Sequence, residues 1–146
     1  MELIRLSYRS VRKPTTSDDI VINGIVMPSI RRNAREDVTG CLWCGPTRFF
    51  QTLEGPREGV ERIYADIERD PRHTDVELLE LRPIDIRSFE RFSMKLIRAR
   101  ESDEIGRLVD ATRPPGAADA APEPRRRTAM QAIIDILIGA PAERMP

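Results

Sequence analysis

Alternating apolar and polar residues predict that the chain begins with a half-buried β-strand. In residues 2–9, ELIRLSYR, every second side chain is apolar, so these side chains share one face. That face consists of Ile4, Leu6 and Tyr8. The same alternation recurs later in the chain, and the turn GPT at 45–47 joins two of the runs into a hairpin. The predicted strands cover residues 2–9, 38–44, 48–55, 76–81 and 92–96.

Two segments with other patterns separate these strands. Within residues 60–67, apolar side chains recur at spacings of three and four, which predicts an amphipathic helix that begins near Pro56. Residues 20–30 are apolar on most sides, so a helix there must be covered on more than one side. Because proline is unfavourable inside a helix, Pro28 predicts a stop or kink near Met27 and a loop or irregular turn after it.

The order of these elements, β-α-β-β-α-β-β, predicts an α+β fold with a ferredoxin-like β-α-β-β-α-β core and an added fifth strand. Two short helices are expected to follow, over residues 100–113 and 128–139, with a Pro/Ala-rich linker at about 113–124. We therefore divide the chain into a domain at 1–97 and a helical extension at 98–146. The last helix is apolar, so we expect it to dock on its own sheet or on a partner chain.

Composition and charge exclude several classes of partner. The formal net charge of the 146-residue chain is zero and 33% of its residues are charged, so no global field attracts nucleic acid or an anionic membrane. No segment approaches the ~20 apolar residues of a membrane span. The first residues, MELIRLSYR, lack an apolar signal core. We expect a cytoplasmic protein.

Cys41 and Cys44 form the motif CLWC, whose spacing also occurs in redox pairs and zinc sites. A zinc site would need a second pair of ligands, and His73 is the sole histidine. The motif falls in a predicted strand, where a separation of three residues places the two thiols on opposite faces. We therefore interpret both cysteines as small strand residues and expect no metal site.

Two polar-tipped side chains lie on apolar faces of the predicted sheet. In RFFQTLEG, the strand at 48–55, Gln51 shares a face with Phe49 and Leu53, and Tyr8 lies on the apolar face of the first strand. An amide without partners in an apolar site costs about 1–3 kcal/mol. Gln51 is therefore either tied to nearby backbone or water, or it faces a polar ligand held against the sheet.

Several motifs around these residues are similar to those of one family. They are LSYRS around Tyr8, SxxxNAR at 29–35, VTGCL at 38–42, RFFQTLEGP at 48–56, DPRHTDV at 70–76 and RPI…RFSM at 82–94. Over roughly residues 1–97 the chain resembles the BLUF family, sensors of blue light using FAD. One such motif is weak evidence, but six in register make a chance match a poor explanation.

The resemblance implies a flavin cofactor, FAD by family expectation, with FMN or riboflavin as alternatives. It implies a flavin ring inserted between the two helices, with Asn33 and Arg72 as contacts and Tyr8, Gln51 and Met94 as the photoactive group. Further implied contacts are Ile25, Arg32, Leu53, His73 and Phe92. Light would rearrange the hydrogen bonds among tyrosine, glutamine and flavin by coupled electron and proton transfer. We expect a sensor rather than an enzyme, which signals through the last strand and the tail helices to a protein partner and forms a homo-oligomer.

The chain also departs from the family pattern at a few positions, and its sequence leaves other functions open. Many members have tryptophan where this chain has Phe92, so an indole N–H is missing there, and Gly24 and Pro28 are unusual in the flavin-covering helix. Ferredoxin-like folds also include small acylphosphatase-type hydrolases, for which Asn33 and Arg72 could hold phosphate and water. A third alternative is a regulatory module without light response, whose last helix mediates oligomers.

Overall fold

The computed structural model describes residues 2–99, 104–112 and 123–142, and it confirms the predicted order of strands and core helices. The strands are β1 (Leu3–Arg12), β2 (Thr39–Cys44), β3 (Arg48–Pro56), β4 (His73–Ile84) and β5 (Lys95–Arg98). The helices are α1 (Asp18–Ile20), a π-helical segment (Val21–Val26), α2 (Met27–Arg35), α3 (Arg57–Glu68), α4 (Glu104–Thr112) and α5 (Glu123–Gly139).

The five strands form one sheet in the order β4-β1-β3-β2-β5. β1 is antiparallel to β3 and β4, β2 is antiparallel to β3, and β5 is parallel to β2. This is the predicted ferredoxin-like core with an added strand at the β2 edge. The pairing of β1 with β3 places Tyr8 directly opposite Gln51, and the pairing of β2 with β3 places Leu42 on the other side of Gln51.

The first helix differs from its prediction, because it does not stop at Pro28. The elements α1, the π-helical segment and α2 follow one another without a break over residues 18–35, so the expected loop after Met27 is wrong. In the π-helical segment the backbone bonds skip five residues, as in the bond from the Met27 N–H to the Ile22 carbonyl. Pro28 lies where the π-helical segment passes into α2.

The fifth strand begins later than predicted, at Lys95 rather than Phe92. The Phe92 N–H bonds to the Phe89 carbonyl in a turn, and the Phe92 side chain is 37% exposed. Met94 and Leu96 are nevertheless buried together in the core, as the alternation predicted. Alternation identifies which side chains share a face, but it cannot show where strand pairing begins.

The sheet has a hydrophobic core on each face. One core lies under the helix at 18–35 and α3, and it includes Tyr8, Cys44 and Leu53. The other lies under α4 and α5 and includes Cys41 and Trp43. Both cysteines are buried on opposite faces of the sheet, as predicted for small strand residues.

The last helix docks on its own sheet, which answers one of the alternatives left open by the sequence. Four of its apolar side chains are buried in the second core, namely Met130, Ile133, Ile134 and Leu137, whereas Ile136 and Ile138 are exposed. The helix begins at Glu123, five residues earlier than the predicted Thr128, and most of the expected linker, residues 113–122, lies outside the described residues. Residues 100–103 of the other predicted helix also lie outside them. Within the described part of the chain, no helix has the length and apolar character needed to cross a bilayer.

Buried polar contacts attach α5 to the sheet at two points. Arg5, which is 2% exposed, donates from Nε to Glu80 at 2.8 Å and from Nη2 to the Gln131 amide oxygen at 2.9 Å. At the other end of the helix, the Lys95 ammonium donates to the carbonyls of Leu137 and Ile138, both at 3.0 Å. A cation at a helix C-terminus satisfies carbonyls that lack helical partners and opposes the helix dipole.

Candidate functional site

A buried phenol and a buried amide meet on the face of the sheet that lies under the first helix and α3. Tyr8 is 3% exposed and Gln51 is 4% exposed, and the Tyr8 hydroxyl donates a hydrogen bond to Oε1 of Gln51. Burial, with a smaller contribution from the neighbouring Tyr64, raises the pKa of Tyr8 well above its ordinary value. The phenol therefore stays protonated and remains a hydrogen-bond donor throughout the physiological pH range.

The other end of the Gln51 amide points to the segment that leads into β5. Its Nε2 donates to the Met94 sulfur at 3.6 Å. Met94 is 6% exposed and directly precedes Lys95, the residue that caps α5. Because neighbouring side chains of an extended segment point to opposite faces, this short stretch of chain connects the two sides of the sheet.

The Tyr8–Gln51 pair faces a cavity that opens partly to solvent. We call it the sheet cavity. It lies between the sheet, the first helix and the region around the end of α3. Its lining residues are Tyr8, Gly24, Ile25, Pro28, Ser29, Arg32, Leu42, Phe49, Gln51, Asp66, Ile67, Asp70, Arg72 and His73.

Arg72 lies at the solvent edge of the sheet cavity and connects its two sides. Its Nε and Nη2 donate to the two oxygens of Asp70, at 2.8 and 2.5 Å, and its Nη1 donates to the Gly24 carbonyl at 2.8 Å. The hydrogen bond from Arg72 lowers the pKa of Asp70, and the same bond raises the pKa of Arg72. The pair therefore stays charged.

Arg32 and Asn33 present unpaired polar atoms at the end of the first helix. Asn33 is fully buried, and its Nδ2 donates to the Ser93 carbonyl at 2.8 Å. Within the described residues, Oδ1 of Asn33 and Nε of Arg32 are buried without a hydrogen-bond partner. Burial lowers the pKa of Arg32. An acceptor and a donor without protein partners fit a ligand with both kinds of group, as a flavin edge has.

His73 lies against the same cavity with both ring nitrogens engaged. Nε2 lies 2.7 Å from the Ile67 carbonyl, and Nδ1 lies 2.7 Å from the Ser10 hydroxyl. A carbonyl only accepts, so Nε2 bears the proton and, in the neutral ring, Nδ1 accepts from Ser10. His73 therefore shapes the cavity wall and fixes the corner between α3 and β4.

The structure brings most of the predicted site residues to the sheet cavity. The predicted residues that line it are Tyr8, Ile25, Arg32, Gln51, Arg72 and His73. The other four do not line it: Asn33 donates to the Ser93 carbonyl, Met94 accepts from Gln51, Leu53 is in the core, and Phe92 lies against the Lys95 ammonium. Sequence reasoning missed Asp70, Leu42 and Phe49 as lining residues. The alternation in β3 could have identified Phe49, which shares the face of Gln51.

Comparisons with known proteins agree with this geometry. The model of the BLUF family, sensors of blue-light using FAD, matches residues 3–95. Over 88 residues the chain is 40% identical to the photoactivated adenylate cyclase subunit beta of Euglena gracilis, a match that covers 60% of this chain and 10% of that protein. Over 90 residues it is 40% identical to the blue light- and temperature-regulated antirepressor BluF of Escherichia coli (strain K12), covering 60% of this chain and 22% of that protein.

A solved structure also resembles the chain over nearly its whole length. The photo-activated state of BlsA superposes with a TM-score of 0.76 at 27% sequence identity, covering 98% of this chain and 99% of that one. The chain thus spans only about a tenth of the Euglena cyclase subunit but almost all of BlsA.

Proposed function

Because the chain belongs to the BLUF family, we propose that it is a blue-light photoreceptor that binds FAD in the sheet cavity and signals to a partner protein. The observation that supports this most directly is the buried Tyr8–Gln51 hydrogen bond facing a cavity between two helices. A ligand in this cavity would account for a glutamine on an apolar strand face, which is one of the two explanations that the sequence left open. FAD is the family's cofactor, with FMN or riboflavin as alternatives.

In this proposal the lining residues bind the flavin, with Arg32 and Asn33 at its polar edge and Arg72 at the solvent edge. Ile25 and His73 would contact it from the helix and from the α3–β4 corner. A bound flavin would absorb blue light and, once excited, supply a strong oxidant. Tyr8 would give up an electron and a proton, and its hydrogen bond to Gln51 gives the proton a defined acceptor. The water-excluded surroundings of Tyr8 prevent the proton from escaping to solvent.

Gln51 is the element that changes state. A half-turn of its amide exchanges Oε1 and Nε2, so that Nε2 faces the Tyr8 oxygen and Oε1 faces Met94. A thioether sulfur only accepts hydrogen bonds, so this exchange ends the bond from Nε2 to Met94. The electron and the proton would return to Tyr8 once Gln51 has turned, so hydrogen bonds alone remain rearranged and the dark state returns thermally.

The signal then leaves through Met94 and Lys95 to the end of α5. The proposal includes a partner protein that binds this end of the molecule. It also includes a homo-oligomer and a cytoplasmic location, which remain predictions from the sequence. The relatives couple the same domain to different outputs, since one is named as a cyclase subunit and another as an antirepressor.

The hydrolase alternative is not favoured. Asn33 and Arg72 were its candidate residues, but the charge of Arg72 is balanced by the Asp70 carboxylate and Asn33 donates to a backbone carbonyl. BLUF domains are sensor modules, which agrees with the expectation that the chain is not itself an enzyme.

An absorption spectrum before and after blue light tests the proposal. We expect a yellow protein whose flavin band shifts reversibly to longer wavelength, and chromatography of the released pigment distinguishes FAD from FMN and riboflavin. Tyr8→Phe and Gln51→Leu should keep the pigment and lose the shift. Tyr64→Phe is the matched control, because Tyr64 is the other tyrosine and its ring lies 5.6 Å from that of Tyr8. A protein that takes up no flavin contradicts the proposal.

A further inference from the structure

Pro28 leaves one backbone carbonyl of the first helix without its usual donor. In α-helical register the Gly24 carbonyl would accept from the N–H of residue 28, and in the π-helical register of this segment the Asn23 carbonyl would, but proline has no N–H. A buried carbonyl without a partner is unfavourable, so a helix that passes through a proline normally needs a compensating donor. In this chain the donor comes from a distant part of the sequence.

That donor is Arg72, which lies in the corner between α3 and β4. Its Nη1 donates to the Gly24 carbonyl at 2.8 Å, while Nε and Nη2 are held by Asp70. A guanidinium has five N–H groups, so these three bonds leave two N–H groups for a ligand. Gly24, Pro28, Asp70 and Arg72 all line the sheet cavity.

Gly24 is the residue whose size permits this contact. A Cβ added at Gly24 would lie 2.9 Å from Nη1 of Arg72, and its next nearest neighbour, in Ile20, is at an ordinary 3.8 Å. The close atom is the end of a flexible side chain, so the guanidinium would move away while the helix stayed in place. Alanine at this position therefore removes one contact and leaves the arginine in the chain.

We propose that Gly24 and Pro28 are positioning residues that hold Arg72 in a clasp across the solvent edge of the sheet cavity. The clasp consists of Gly24, Pro28, Asp70 and Arg72. Pro28 frees the carbonyl, Gly24 gives the guanidinium room, and Asp70 orients it. The clasp ties the first helix to the α3–β4 corner, so a flavin between them leaves only when the clasp opens. This last step rests on the proposed function, whereas the clasp itself does not.

The flavin release rate of the full-length holoprotein tests the effect on the cofactor. Flavin fluorescence rises on release, and the rate is followed after dilution. We expect Gly24→Ala to accelerate release on the order of tenfold, as befits the loss of one hydrogen bond to a charged group. Arg72→Lys should act in the same direction. Asn23→Ala, an exposed position in the same π-helical segment, is the matched control and should leave the rate unchanged.

A double-mutant cycle in the flavin-free full chain tests the clasp independently of the cofactor. Glycine to alanine in a helix normally raises stability. In the wild-type background the lost contact with Arg72 should cancel this gain, whereas in the Arg72→Ala background the gain should appear in full. We therefore expect the rise in thermal midpoint caused by Gly24→Ala to be about 2–4 °C larger in the Arg72→Ala background.

The two measurements separate failure of the clasp from failure of the photoreceptor assignment. Equal effects of Gly24→Ala in both backgrounds overturn the clasp, whether or not flavin binds. If the cycle shows coupling between Gly24 and Arg72 but Gly24→Ala releases flavin at the wild-type rate, the clasp exists but does not retain the flavin. A chain that binds no flavin refutes the proposed function, and the cycle alone then decides on the clasp.

Discussion

Replacing Lys95 by methionine should detach the end of α5 from the sheet without disturbing the sheet cavity. Lys95 is 5% exposed, and its ammonium donates to the carbonyls of Leu137 and Ile138 at 3.0 Å each. Methionine has a similar length and no donor, so Lys95→Met removes both hydrogen bonds and leaves two helix-terminal carbonyls without their partner. Lys95 does not line the cavity, so its lining stays intact.

The expected loss of stability follows from these contacts. Hydrogen bonds to charged groups contribute about 1.5–3 kcal/mol each, and burying the ammonium offsets part of this sum. We expect a net loss of about 2 kcal/mol, which for a domain of this size lowers the thermal midpoint by about 4–8 °C. Lys13→Met is the matched control, since Lys13 is the other lysine of the chain, and it should change the midpoint by less than about 2 °C.

Thermal unfolding measures the stability, and hydrogen exchange locates the change. The amides of the last turn of α5 should exchange faster in Lys95→Met, while those of β1 and β3 should not. The light-dependent shift should persist, because the Tyr8–Gln51 pair is unaffected. A variant that unfolds at the wild-type temperature, with unchanged exchange in α5, would show that the Lys95 cap contributes no net stability.

Two further predictions concern titratable groups. The hydrogen bond from Arg72 lowers the pKa of Asp70. The ion pair therefore stabilises the fold above the ordinary carboxylate pKa of about 4, and this stabilisation is lost as the pH falls through the lower pKa that Asp70 has in the folded protein. Asp70→Asn should therefore be less stable than wild type in urea at pH 7 and match it near pH ~2; an equal difference at both pH values would contradict this. Burial raises the pKa of Cys41 to about 12, and Cys44 is fully buried, so neither thiol should react with a disulfide reagent at pH 8 until the protein is unfolded in denaturant. Rapid labelling of either cysteine in the folded protein would refute their burial.

The contribution of the sequence to the site is clearest in β1 and β3. Alternation placed Tyr8 among apolar residues of one strand and Gln51 among those of another, and the same rule placed Cys41 and Cys44 on opposite faces. These face assignments were correct because successive side chains of a strand alternate between its two faces, whichever strand pairs with it. The family motifs added the flavin, which no periodicity can reveal.

The first helix shows why local rules fail where a distant residue compensates. From the local sequence, Pro28 predicts an interruption of the helix, because the neighbouring residues show only that a backbone hydrogen-bond donor is missing. The Gly24 carbonyl, one turn before Pro28, accepts instead from Arg72, which lies 44 positions after Pro28, and only the folded chain shows this contact and the continuing helix.

By itself, then, the sequence determined the order of the elements, the face on which each side chain of a strand lies, and the family. The tertiary structure decided the pairing of Tyr8 with Gln51, the passage of the helix through Pro28, and the docking of α5 through Lys95. The physical reason is the separation along the sequence of the groups that interact. Periodicity and turn chemistry depend on neighbouring residues, whereas strand register, helix docking and the satisfaction of a carbonyl depend on groups that meet only when the chain has folded.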